Sequence, residues 1–171
     1  EEHGGADLSV VDLIVIAEEL GRALTPSPFF ATLQGSLAIL HGGTDTQRKE
    51  MLPAVAAGRR VLSFAITEES GNENADEIAT RASRSGSSWT LSGTKLFVPD
   101  AQNADAIVVA ARSGAAGEGG ISLFVVERGP ESRDRRVLSA QHQAEAHLQP
   151  PDAARGAGIH EVNAACRQRV V

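Results

Sequence analysis

The hydrophobic positions of the chain follow two regimes that meet near Val61. Up to residue 60 they recur at helical spacing. Val10, Leu13, Ile14, Ala17, Leu20 and Leu24 form one apolar stripe, which predicts a helix facing a partner, and Ser9 with Asp12 three residues on has the form of a capping box. Ser27 and Pro28 read as a cap and first-turn proline ahead of a second helix, Phe29 to Leu40, stopped at Gly42-Gly43 by a left-handed end. Thr44 with Gln47 caps a short third helix over Asp45 to Met51; Pro53 starts a further turn and Gly58 ends it.

From Val61 the period shortens. Val61 to Thr67 is an apolar run bounded by Arg59-Arg60 and by Glu68-Glu69-Ser70-Gly71, the length and punctuation of a buried strand. Ala79 to Arg84, Trp89 to Leu91, Lys95 to Val98, Ala106 to Ala111 and Ile121 to Glu127 follow, separated by turn residues such as Gly86-Ser87-Ser88 and Gly114 to Gly120. Short strands at this spacing predict an antiparallel sandwich or barrel. The predicted class is α+β: a partial helical domain over residues 1–60, then a small antiparallel β-barrel or sandwich over 61–130. Residues 131–171 lack alternation, carry Pro150-Pro151 and offer at most helical fragments such as Ala140 to Leu148. That stretch reads as divergent, either a disordered tail or a non-homologous, frame-shifted terminus.

Charge and composition exclude several classes. With 171 residues the chain can bury a real core, and a formal net charge of -6 with scattered arginines argues against a nucleic-acid binder. One cysteine, Cys166, excludes an internal disulfide framework and fits a reducing compartment. No apolar run is as long as a membrane span, and no basic and apolar leader precedes the first helix. The start at Glu1 without Met suggests a piece of a longer, cytoplasmic protein. His3, His41, His142, His147 and His160 do not fall at metal-ligand spacing, and Glu18-Glu19 are helix neighbours that point different ways. No metal site and no catalytic residue is assigned.

Loops leaving buried strands carry free backbone donors and acceptors on a rigid base, so the end of the Val61–Thr67 strand is the place to seek a site. There the sequence resembles a known family. The order Ile66-Thr67-Glu68, polar loop, Trp89-Thr90-Leu91-Ser92-Gly93-Thr94-Lys95, aromatic, Ala104-Asp105, apolar strand is similar to the middle β-domain of FAD-dependent acyl-CoA dehydrogenases. Glu1-Glu2-His3-Gly4-Gly5 resembles the helical-domain motif ending in Gly-Gly, so about three quarters of the chain is covered.

The resemblance implies an FAD cofactor, an acyl-CoA substrate, an acceptor of the electron-transfer flavoprotein type and a homo- or hetero-oligomer. It implies that Phe64, Ile66, Thr67 and the backbone after Thr67 hold the polar edge of the isoalloxazine, with Ser70 and Gly71 offering N–H groups. Phe97, Val98 and Pro99 occupy the second flavin motif. Two departures stand out. Glu69 replaces a proline and Glu73 falls near a serine that receives substrate groups, while Pro99 replaces a threonine and has neither hydroxyl nor N–H to give. Against these site readings stand plainer ones: Phe64 and Ile66 as core, residues 69–74 as a solvated acidic loop, and Phe97 in the core of a hairpin turned by Pro99-Asp100. The family's C-terminal bundle, with its catalytic glutamate, has no counterpart here. The expectation is a truncated enzyme, inactive alone; the alternatives are a non-catalytic flavin- or acyl-CoA-binding subunit, or a relic.

Overall fold

The computed structural model describes residues 2–6, 8–71, 74–85, 88–114 and 120–128, together with the backbone of 146–148 and 159–162. Three helices come first: α1 (Val10–Arg22), α2 (Phe29–Gly42) and α3 (Asp45–Ala56). Ser9 and Asp12 close the capping box of α1, and Thr44 with Gln47 closes that of α3, so four otherwise unpaired N–H groups find partners.

Three local expectations are corrected. The second helix begins after Pro28, which makes no side-chain cap, and Ser27 does not cap it. It ends at Gly43, whose φ of -75° is extended and not left-handed; a Cβ there would sit 2.4 Å from the Ile39 carbonyl oxygen, so the glycine serves close approach. Pro53 does not begin a new turn: α3 runs through it to Ala56 and ends in a left-handed Gly58 at φ +67°. Proline has no N–H to give in that turn, and the helix is held beyond it by bonds from Ala57 N to Pro53 O and Arg59 N to Ala54 O.

The strands are β1 (Leu62–Ala65), β2 (Arg81–Ser85), β3 (Ser88–Lys95), β4 (Ala106–Arg112), β5 (Ile121–Glu127), β6 (Ala146–Leu148) and β7 (Ile159–Val162), with a 3-10 turn at Ala75–Glu77. They form one curled sheet in the order β6-β3-β2-β4-β5-β7, with β1 also on β4. The α+β class holds, but the sheet is mixed. β1 pairs parallel with β4 over Leu62–Ala65 and Ala106–Val109, and Arg81 of β2 meets Arg112 of β4 in parallel. Lys95 to Val98 is no separate strand, because Lys95 ends β3 and the chain turns at Phe97. The helical reading of Ala140 to Leu148 fails at Ala146–Leu148, which pairs antiparallel with Gly93–Lys95; the open edge of β3 overrides local propensity. The remainder of that reading, the Gly86-Ser87 turn, most of Gly114–Gly120 and the greater part of 131–171 lie outside the described residues.

The sheet separates two cores. Ile39, Met51 and Leu52 from the helices pack on Leu62, Ala106, Val108 and Val125. On the other face Ala65, Leu91, Val98, Ala101, Val109, Ala111 and Phe124 form a second cluster, so neighbours Val108 and Val109 point opposite ways as a pleat requires. Each large side chain buried this fully contributes about 1.5–3 kcal/mol. Gly35 lets α2 approach β1: a Cβ there would lie 2.7 Å from Leu62 Cβ. In contrast, α1 buries none of its residues, and Val10, Val11 and Ile14 of its apolar stripe and flank remain exposed.

Candidate functional site

The site is built where β1 runs out. Strand β4 carries β1 on its first half and reaches β2 only at Arg112, so the chain must leave the sheet between them. At that fork the N–H groups of Ala79 and Thr80 lack a ladder partner. The Glu68 carboxylate takes both: Oε2 accepts from Ala79 N at 2.7 Å and Oε1 from Thr80 N at 3.0 Å. Arg112 fixes the other side of the fork, donating to the carbonyls of Ala75, Asp76 and Ile78.

Lys95, at the end of β3, completes the arrangement. Its side chain is 0% exposed; Nζ donates to Glu68 Oε1 at 2.7 Å and to Ile66 O at 3.1 Å. Burial pushes the Lys95 ammonium below its ordinary range, partly offset by Glu68. Burial acts on Glu68 in the opposite sense, but the Lys95 and backbone hydrogen bonds outweigh it and hold the carboxyl below its ordinary value. The Glu68 carboxyl is therefore ionised at neutral pH. Next along the chain, Leu96 N donates to Thr67 O at 2.9 Å. Ser63 Oγ donates to Pro99 O at 2.5 Å. These bonds lay residues 63–68 beside 95–99.

Most of the expected cofactor residues thus come together, with different parts available. Phe64 is half-buried and packs on the first core, and Ile66 is half-buried with its carbonyl taken by Lys95. Thr67 is half-buried at the strand end; Ser70 is exposed, and Gly71 is exposed at φ +69° with its N–H on Glu68 O at 2.9 Å. Val98 is 3% exposed, so its side chain belongs to the second core and only its backbone can meet a ligand. Pro99 is exposed and its carbonyl is held by Ser63. Glu73 and Asn72 lie outside the described residues.

Phe97 is not a core residue. It adopts φ +51° and is 56% exposed, while Lys95 and Val98 on its flanks are buried. A left-handed aromatic is uncommon and strained, and here it turns the ring outward. The hairpin expected between β3 and β4 is absent; instead residues 99–103 make a turn closed by Ala104 N on Asp100 O at 3.1 Å. A groove of about 720 Å³ lies elsewhere, between the N-terminal segment, α2 and α3, and contains none of these residues.

The sequence reading missed Glu68 and Lys95 as a unit. In the sequence Glu68 reads as punctuation, and Lys95 as part of a motif. One signal was available: Trp89, Leu91, Gly93 and Lys95 share a face by alternation, and Leu91 is apolar, which turns the lysine inward.

A profile described as acyl-CoA dehydrogenase, middle domain, matches residues 63–149, and one described as acyl-CoA dehydrogenase, N-terminal domain, matches residues 1–59. The chain belongs to the acyl-CoA dehydrogenase family. Acyl-CoA dehydrogenase FadE12 of Mycobacterium tuberculosis is 37% identical over 131 residues, covering 74% of this chain and 34% of that protein. A solved acyl-CoA dehydrogenase from Geobacillus kaustophilus superposes with a TM-score of 0.69 at 29% identity, over 86% of this chain and 42% of the other. The ChsE4-ChsE5 complex from Mycobacterium tuberculosis gives 0.64 at 29% identity, over 74% and 33%. The chain spans about a third of the length of the curated relatives it matches. Members of this family are FAD-dependent oxidoreductases.

Proposed function

We propose that this chain supplies the flavin-facing part of an acyl-CoA dehydrogenase site, and that the base for the reaction comes from outside the described residues. The observation that carries this reading is the edge formed by Thr67 and Phe97, a half-buried strand end beside an outward aromatic ring joined through the Leu96 N to Thr67 O bond. An isoalloxazine needs an apolar or aromatic surface and polar groups in its plane, and this edge offers both. When bound, FAD accepts a hydride from the β-carbon of an acyl-CoA thioester.

The chain's own residues orient the ring. Phe97 offers a flat surface, while Thr67 and the backbone N–H groups beyond it face the polar edge, where donors stabilise developing negative charge. They do not remove the α-proton. Among the described residues Glu68 is the one buried carboxylate, and both its oxygens are committed to backbone N–H groups and to Lys95. The reaction requires a base on the substrate face opposite the flavin. The acyl-CoA substrate, an acceptor of the electron-transfer flavoprotein type, and assembly with a copy or a partner belong to the same reading. Among the described residues no helix is long and apolar enough to cross a membrane.

Titration of the chain into FAD, followed by flavin fluorescence, tests the first half. Saturable quenching is expected, and a flat titration overturns it. Acyl-CoA with FAD and a dye acceptor tests the second half: no turnover is expected from this chain alone, and turnover would place a base within it.

A further inference from the structure

We propose that the buried Lys95–Glu68 pair is a positioning element of the flavin edge, binding the end of β1 to the end of β3 and so setting the separation between Thr67 and the Phe97 ring. The inference rests on the reading of that edge as a flavin site. Nζ of Lys95 spans the two residues that flank Thr67, reaching Ile66 O at 3.1 Å and Glu68 Oε1 at 2.7 Å. The next residue, Leu96, donates its N–H to Thr67 O. Three bonds within three residues of the strand ends thus join the segments at one place. Glu68 in turn is held by Ala79 N and Thr80 N, so the join is anchored to the residues that lead into β2.

Beyond the join the backbone is strained, with φ +51° at Phe97 and +49° at Asp100. Such conformations persist only where the surroundings over-determine them. Here the fixed points are Lys95 at 0% and Val98 at 3% exposure. A buried ion pair is a poor source of net stability, since apolar residues of similar volume often do as well. What an apolar replacement cannot reproduce is the directed grip on Ile66 O and on the carboxylate. A slot for a flat ring needs its walls held within about 0.5 Å, which directed bonds supply better than packing. Neither residue exchanges a proton with substrate in this account; both act through Thr67 and Phe97.

The test uses Lys95→Met, which leaves the two backbone bonds of Glu68 in place, and the neutral double variant Lys95→Met/Glu68→Gln, which carries the test if the single variant does not fold. Two readouts are taken on the whole chain: amide hydrogen exchange at Leu96 without flavin, with the β4–β5 ladder as internal reference, and the Kd for FAD. The proposal expects exchange at Leu96 to quicken about tenfold while the β4–β5 amides stay protected, and FAD binding to weaken about tenfold or more. Unchanged exchange at Leu96 overturns it, as does quickened exchange with FAD bound as tightly as by the wild type. Failure of the wild-type chain to bind FAD overturns the functional reading instead, and exchange at Leu96 then decides the positioning claim by itself.

Discussion

Lys95 Nζ and Glu68 Oε1 lie 2.7 Å apart with side chains 0% and 8% exposed, at the place where the sheet forks. Removing one partner strands a buried charge. Lys95→Met is therefore expected to lower the unfolding free energy by about 3–5 kcal/mol, and the double variant Lys95→Met/Glu68→Gln by clearly less. Urea unfolding of both checks this; equal losses would show that the two charges are not coupled.

The same pair sets a pH dependence. Glu68 titrates below its ordinary value of 4.5 because hydrogen bonds from Lys95 and the Ala79 and Thr80 amides outweigh its burial. With the folded value lower than the unfolded one, ionised Glu68 adds stability above the ordinary glutamate range, and that contribution is lost as pH falls through the folded value. Thermal midpoints measured from neutral to acid pH should fall in the wild type and fall less steeply in Glu68→Gln. Parallel curves would contradict the assignment.

Much of this was legible in the sequence, and the failures have physical causes. Capping boxes at Ser9 and Thr44 are local side-chain geometry, so they hold. The strand at Leu62–Ala65 holds because its apolar run and punctuation are local too. Its parallel partner could not be read, since pairing with β4 joins residues more than forty apart. Resemblance implies a place for Phe97 beside the flavin, yet its left-handed backbone depends on what Lys95 and Val98 contact across the fold. Glu68 reads as the polar stop of an apolar run until Ala79 and Thr80 arrive beside it.

Phe97→Ala should separate binding from stability. Because the ring is 56% exposed, its loss leaves the thermal midpoint nearly unchanged. Loss of an aromatic face is worth about 0.5–1.5 kcal/mol, so the Kd for FAD should rise about two- to twelvefold. A large drop in midpoint, or an unchanged Kd, would contradict the role given to the ring.

Glycine substitutions test the packing. A Cβ at Gly93 would lie 2.4 Å from Thr80 Oγ1 and 2.7 Å from Thr80 Cα, so Gly93→Ala should cost about 1–3 kcal/mol and separate β3 from the segment that carries Glu68's partners. Gly21, inside α1 with nothing within 4 Å, is the contrast: Gly21→Ala should stabilise by about 0.4–1 kcal/mol. Equal effects from the two changes would show that helix propensity, not close approach, governs both.

The central claim is that FAD meets this chain at the Thr67–Phe97 edge. Amide chemical shifts recorded during an FAD titration test it most directly, because they report position as well as binding. Perturbations are expected at Thr67, Gly71 and Phe97, with the α2–α3 groove around Leu37, Arg48 and Leu52 unaffected. Shifts confined to that groove, or none at any residue, would contradict it.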